Sequence, residues 1–287
     1  MMSDFWKNLR DIVSEDMGGR GIQCLSSVQD LIGAVETLRG ARKVAIFTGF
    51  VIRRELKGET DGPVGALFLA RGLLTMGKDV SIWTDFPHYD VLKVGLSFLG
   101  INIPLYEVPL SFGGEVISTF WRENFDLLIS VERPGRAIDG RYYSYRGEDV
   151  SPYTSPLDEF FLEGRRRGVP TIGIGDGGNE IGMGKVRSEI LESLPNGDKV
   201  STIVSTDYLL ICGISNWGAY ALLAGLSKLE GVNELLPDPG EEIALIERVV
   251  EAGAIDGVLV KPTATVDGLP QEVLRKKLKE MGSCLRG

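Results

Sequence analysis

Residues 170–180 read PTIGIGDGGNE, a short apolar run that stops at glycines and acids. The run at 170–174 is too short for a helix and is bounded by turn residues, the pattern of a strand buried on both faces. Helical periodicity precedes it at 156–167 and follows it at 181–193. The same alternation extends outward in both directions. Strands are predicted at 43–47, 80–84, 103–107, 127–131, 170–174, 208–212 and 257–260. Helices are predicted at 63–76, 89–99, 111–123, 156–167, 181–193, 217–229 and 241–252. Pro63 fits a first helical turn, where a missing N–H breaks no helical hydrogen bond. Near-continuous apolar strands separated by helices predict an α/β fold. It is a doubly wound, mostly parallel sheet of about seven strands with helices on both faces. Residues 1–40 read as an N-terminal helical extension, and 41–287 as a single α/β domain with a polar, tyrosine-rich insertion near 137–154.

The chain has 287 residues, 43% hydrophobic and 25% charged, with a net charge of −9. That balance is globular and excludes a disordered or collagen-like chain. Duplex DNA binders carry a basic footprint, so nucleic acid is not expected as a partner. No apolar run approaches the ~20 residues needed to span a bilayer, and the first residues lack the apolar core of a signal peptide. Cys24, Cys212 and Cys284 are far apart and form no C-x-x-C pair. Neither a disulfide framework nor a zinc cluster is indicated, and a reducing, cytoplasmic setting is expected. A homo-oligomer stays open.

In open parallel sheets, ligands bind beyond the carboxyl ends of the strands. The residues that follow each run therefore locate the chemistry. They are Thr48-Gly49-Phe50 and then Glu59-Thr60-Asp61-Gly62, Asp85, Glu132-Arg133-Pro134-Gly135-Arg136, Asp176-Gly177-Gly178-Asn179-Glu180, and Ser215-Asn216-Trp217. Arginine presents a planar fork that matches a carboxylate, so Arg133 and Arg136 suit an anionic ligand, or else an ion pair within their loop. Asp61, Asp85, Asp176 and Glu180 are candidate general bases or oxygen ligands for a hard metal. His88, the one histidine, lies just past a strand end and either moves protons or caps a helix. Tyr142 and Tyr143 either offer hydroxyls to a ligand or pack the insertion onto the body. Gly173, Gly175 and Gly178 match G-x-G-x-x-G, with Asp198 about twenty residues further on, where a ribose-binding acid would stand. A nucleotide-dependent enzyme using the 173–178 loop is thus an alternative. Against it, the motif follows the fifth strand rather than the first, and Asp176 sets a negative charge beside any pyrophosphate.

At these residues the chain resembles the D-glutamate cyclase family, in its C-terminal-domain type. The resemblance is carried by Thr48-Gly49-Phe50, Glu59-Thr60-Asp61-Gly62-Pro63-Val64-Gly65-Ala66, Glu132-Arg133-Pro134-Gly135-Arg136-Ala137, Asp139-Gly140-Arg141-Tyr142-Tyr143, the segment from Gly175 to Val186, Ser215-Asn216-Trp217-Gly218-Ala219-Tyr220, and Thr265-Val266-Asp267-Gly268-Leu269-Pro270. It spans about residues 45–270, nearly the whole body. Two loops depart from the family pattern, Val51-Ile52-Arg53-Arg54 and Val260-Lys261-Pro262-Thr263-Ala264, and both could flank the ligand.

The resemblance implies a lyase that converts D-glutamate, a small acidic amino acid, to 5-oxo-D-proline and water. A lactam is not a high-energy product, so no nucleotide and no other organic cofactor is expected. The motif match supports a place in the site, and the roles are expectations. Asp61, Glu132, Asp176 and Glu180 serve as acid/base groups, with Asp176 and Glu180 also able to hold Mg or Mn. Arg133 and Arg136 take the substrate carboxylates. Gly49, Tyr142, Tyr143, Gly177, Asn179 and Asn216 orient the substrate. A non-catalytic binder of a small acidic amino acid is the remaining alternative.

Overall fold

The computed structural model describes residues 2–232 and 235–286. Among these residues eight strands form: β1 (Lys43–Thr48), β2 (Val51–Ile52), β3 (Lys57–Gly58), β4 (Asp79–Thr84), β5 (Leu105–Glu107), β6 (Leu127–Val131), β7 (Thr171–Gly175) and β8 (Tyr208–Ile211). Six of them build one wholly parallel sheet in the order β5-β4-β1-β6-β7-β8, and β2 pairs with β3 in a small antiparallel hairpin. Counted in chain order, the six run 3-2-1-4-5-6 across the sheet. The winding reverses between β1 and β6, and a crevice opens at such a switch point.

Strand alternation divides the side chains between two helical layers. Along β1, Val44 and Ile46 join one apolar cluster, while Ala45 and Phe47 join the other. The first layer holds the Val28–Gly40, Pro63–Thr75, His88–Phe98, Ser215–Glu230, Pro239–Glu251 and Gln271–Arg286 helices. The second holds Gly114–Trp121 and Asp158–Arg167 over an aromatic group in which the Phe120 and Phe160 rings lie 4.6 Å apart. Covering both faces is why the strands read as continuous apolar runs. The N-terminal helix, Met2–Val13, sends Phe5, Trp6, Leu9 and Val13 into the first cluster. Trp6 and Val35 press on Gly225, where an added Cβ would come within 2.9 and 2.5 Å of them. The first forty residues thus share the core of the body.

Two expectations are corrected and one helix is new. The large sheet has six strands rather than about seven, because residues 257–260 form a turn. Asp256 accepts hydrogen bonds there from the Val258 and Leu259 N–H groups, and Val260 is left-handed at φ 54°. The helix expected over 181–193 begins only at Arg187. Ile181 and Gly182 instead donate to the Arg133 and Val204 carbonyls. The Gln271–Arg286 helix was not anticipated. Among the described residues, no helix is long and apolar enough to cross a membrane.

One acid lies enclosed in the first layer. Glu242 is fully buried, and burial pushes its carboxyl up to about 7, with Tyr220 and Arg275 offsetting part of the effect. The folded state therefore binds this proton more tightly than the unfolded chain does. The site costs nothing below the unfolded value of 4.5 and destabilises progressively as pH rises toward about 7. Glu242→Gln is expected to stabilise the protein by up to about 3 kcal/mol at pH 8 and by little at pH 4. Denaturant titrations at the two pH values read this directly, and equal gains at both would sink it.

Candidate active site

Three strand ends supply the floor of the crevice. Glu132 directly follows β6 and is held left-handed at φ 45°. That conformation is uncommon for a residue with a Cβ and is tolerated chiefly where the surroundings over-determine it. Gly62 makes the room. It has φ 89°, and a Cβ on it would lie 2.6 Å from the Glu132 Cβ. The Ser215 hydroxyl donates to Glu132 Oε2 at 2.5 Å.

Asp61 and Asn216 cap each other's helices. The Ser215–Glu230 helix has no cap from its own preceding residue, and Asp61 accepts from the Ser215 and Asn216 N–H groups at 2.7 and 2.8 Å. In return Asn216 Oδ1 accepts from the Gly62 and Gly65 N–H groups, at the start of the Pro63–Thr75 helix, at 2.9 and 2.6 Å. Orphan N–H groups are satisfied at both ends, and each positive helix terminus meets an oxygen.

The β7 loop adds Asp176 and Glu180. Glu180 folds back so that its two oxygens accept from Gly177 and Gly178 N–H at 2.8 Å each. Asp176 forms an ion pair with Arg20, which also reaches Asp267 at 2.5 Å and lies 5.5 Å over the Tyr145 ring. Arg20 comes from a glycine-flanked strap whose N–H groups at Arg20 and Gly21 donate to Asp16. Gln23 anchors the strap by donating to the Asp176 and Cys212 carbonyls. Asp267 is itself left-handed, at φ 51°. Its turn is held by Asp256, which accepts from Thr265 Oγ1 and Gly268 N–H.

The resulting cleft encloses about 90 Å³ and is lined by Arg20, Glu59, Glu132, Asp176, Glu180 and Asp267 on its polar side. Its mouth is formed by Val51, Ile52 and Arg53 and by Ser144, Tyr145 and Arg146. At ~10–15 Å³ per water, the cleft is sized for a ligand of a few to about ten heavy atoms. Burial raises the carboxyls of Glu59 and Glu132 well above the usual range, and repulsion from neighbouring acids adds to it. Burial does the same at Asp176 against the opposing pull of Arg20. Glu180 is raised despite its backbone donors, and Asp61 is raised to about 7 by burial and by Asp267. Arg20 stays charged because Asp176 and Asp267 overcome the cost of its burial. A cluster of buried acids around one arginine therefore holds shared protons near neutral pH.

Oxygens of Asp61, Glu132 and Asp176 lie within 4.8 Å of one another. This is an all-oxygen set of the kind a hard divalent cation takes. Glu180, expected to share an ion with Asp176, stands outside this set.

Of the residues expected from sequence, Glu132, Asp176, Gly177, Asn179 and Glu180 line the cleft, and Asp61 lies just behind it with Glu132 and Asp176. Asn216 is engaged as a cap. Arg133 is buried in a two-toothed pair with Asp85, at 2.7 and 2.5 Å, and also donates to the Gly49 and Ser155 carbonyls. Arg136 turns to Asp158 and Glu159. The Tyr142 hydroxyl donates to Asp158 and that of Tyr143 to Asp139, each at 2.6 Å. Gly49, at φ 113°, leaves space for the His88 ring. His88 is buried between Asp85, at 3.3 Å, and the Phe50 carbonyl, at 2.9 Å. The glycine loop offers little to a phosphate, because Glu180 already takes the Gly177 and Gly178 N–H groups. Asp198 lies exposed, outside the cleft lining. Arg20, Glu59 and Asp267 were missed as site residues, although Glu59 and Asp267 stand inside quoted family stretches. Arg20 carries no signal beyond its Gly-Gly-Arg-Gly setting.

Fold and site define a doubly wound α/β protein with a carboxylate-lined pocket at the switch point of its sheet. Comparison with known sequences narrows this. The family described as D-glutamate cyclase-like, C-terminal, matches residues 9–282, and the chain belongs to that family. It is 35% identical over 240 residues to a human protein named "D-glutamate cyclase, mitochondrial". The match covers 77% of this chain and 38% of that relative, so the chain spans well under half of the relative's length.

Proposed function

We propose that the chain cyclises D-glutamate to 5-oxo-D-proline with release of water. The observation that carries this reading is the cluster of buried carboxyls around Arg20 in a small cleft. The substrate arrives with an ammonium and two carboxylates. Two protons must leave nitrogen and end on one oxygen of the side-chain carboxylate, which departs as water. No net proton is taken up. Asp176 accepts a proton from the ammonium, which frees the nitrogen lone pair to attack the carboxyl carbon. Glu132, steadied by Ser215, enters protonated, gives that proton to the departing oxygen and takes the second proton from nitrogen. Asp176 passes on the one it accepted, so the oxygen leaves as water and both acids return to their starting states. Arg20 orients the attacked carboxylate and opposes the charge that builds on it. Glu180 fixes the loop that aims Asp176.

A divalent ion fits the donor set of Asp61, Glu132 and Asp176, and when bound it would supply Lewis acidity to the attacked carboxylate. Millimolar MgCl2 or MnCl2 is expected to raise the melting temperature at pH 7 by about 5 °C, given that binding to the folded state alone stabilises it. Asp61→Asn should lose that shift. No shift in the wild-type protein removes the ion from the proposal.

The decisive test is chiral chromatography after incubation with D- and L-glutamate, with and without those ions. 5-Oxo-D-proline from the D-isomer alone supports the cyclase reading. Binding without product would favour the non-catalytic binder, and neither would return the question to another small acidic ligand.

A further inference from the structure

The arginines that sequence assigned to substrate carboxylates are spent on Asp85 and Asp158, and Arg20, paired on the acidic floor, serves one carboxylate at most. A ligand with two carboxylates then needs cations elsewhere. Two hairpins at the mouth carry them. The first is β2–β3, whose turn holds Arg53, with Glu55 and Leu56 N–H donating to the Ile52 carbonyl. The second is closed by a Tyr143–Asp149 bridge and by Ser144 N–H donating to the Glu148 carbonyl, and it holds Arg146 near its tip. An ion pair between Arg54 and Glu148, at 3.3 Å, ties one hairpin to the other.

Arg53 and Arg146 both line the cleft and both are exposed. Among the described residues neither makes an ion pair, and Arg146 makes one hydrogen bond, 3.2 Å to the Val258 carbonyl. Val258 sits in the turn that ends at left-handed Val260. That contact fixes one side of the Arg146 guanidinium, on a side chain that lines the cleft. The neighbouring charges are accounted for. Glu148 faces Arg54, Asp149 lies 3.6 Å from Arg141 and also feels the charge of Arg53 without pairing with it, and Asp176 and Asp267 face Arg20.

We infer that Arg53 and Arg146 form a two-sided clamp for the carboxylate that does not react, the α-carboxylate of a small dicarboxylic amino acid. The inference rests on the cyclase reading for which carboxylate is which. The amine and the reacting carboxylate go down to the acids and Arg20, and the α-carboxylate faces outward between the hairpins. The clamp sets selectivity. An amino acid whose α-carboxylate is amidated keeps every reacting group and loses the two-sided ionic contact.

The test compares D-glutamate with its α-amide, in turnover and in equilibrium binding, for the wild type, Arg53→Gln, Arg146→Gln and the double variant. A charge-assisted hydrogen bond at a partly exposed site is worth about tenfold. The wild type should prefer the free acid by about a hundredfold. Each single variant should raise KM for D-glutamate about tenfold with kcat nearly unchanged, and the double variant should treat acid and amide alike. Arg54→Gln, which loosens the tie between hairpins without removing a clamp group, should keep the preference. Full preference in the double variant, or none in the wild type, overturns the clamp. If the wild type binds D-glutamate in preference to the amide but forms no product, the cyclase reading fails while the binding isotherms of the variants still decide the clamp.

Discussion

Asp176→Asn should lower turnover of D-glutamate by about a thousandfold while leaving the protein at least as resistant to denaturation at pH 8. Removal of a positioned acid or base typically slows a reaction by ~10²–10⁴. Asp176 is also the acid on which Arg20 rests, so its loss blurs the carboxylate-orienting group as well. Stability moves the other way for a separate reason. Burial holds this carboxyl well above its ordinary value, so the folded state is penalised whenever the group is ionised. An amide of the same shape escapes that penalty, and Arg20 keeps Asp267 as its counter-charge. Sites that strain a protein to serve chemistry show this opposition of activity and stability. Steady-state turnover beside a denaturant titration reads both, and turnover near that of the wild type would take Asp176 out of the proton path.

The opposite balance is expected at Asp85. It is fully buried, and despite the cost of burial its carboxyl is held below the usual range by Arg133 first and His88 next. Asp85→Ala leaves the Arg133 guanidinium enclosed without its counter-charge and strips the Ser155 N–H of its acceptor. Breaking one side of a buried pair costs ~3–5 kcal/mol, which for a chain of this size is a fall of roughly 5–8 °C in melting temperature. The pH signature also inverts relative to Glu242. A depressed acid contributes stability above its unfolded value of 3.8, and that contribution is lost as pH falls through the lower folded value. The wild type should therefore lose stability steeply below about pH 4, and Asp85→Ala should flatten that loss. A variant as stable as the wild type would mean that Arg133 does not depend on Asp85.

Most strands were legible because burial on both faces leaves a mark in consecutive residues. The LLISV run of β6 falls within the expected bounds to the residue. The edge where chemistry gathers followed from the strand ends. The turn at 257–260 was not legible, because its apolar Gly-Val-Leu-Val run looks like a strand. What decides it is Asp256, whose carboxylate takes N–H groups that a ladder would need. The division of labour among the arginines was equally hidden. Nothing local to Arg133 announces Asp85, which stands 48 residues away, and nothing local to Arg136 announces Asp158. A guanidinium reads the same in sequence whether it meets a ligand or a neighbour, and only the partner's position settles it. Arg20 shows the converse, a cleft cation supplied by a segment that reads as an N-terminal extension.

The exchange of caps between Asp61 and Asn216 also determines which parts of the cleft can respond to a ligand. Each helix start is pinned by a residue that belongs to the other, so neither can slide or turn about its axis without unfastening both. The floor that carries Glu132 and Ser215 behaves as one keyed joint, like two planks notched into each other. Whatever closes over a bound ligand must come from the opposite wall, from the two arginine-bearing hairpins. Substitutions that stiffen that wall should slow entry and release, and those at the joint should misplace the chemistry itself.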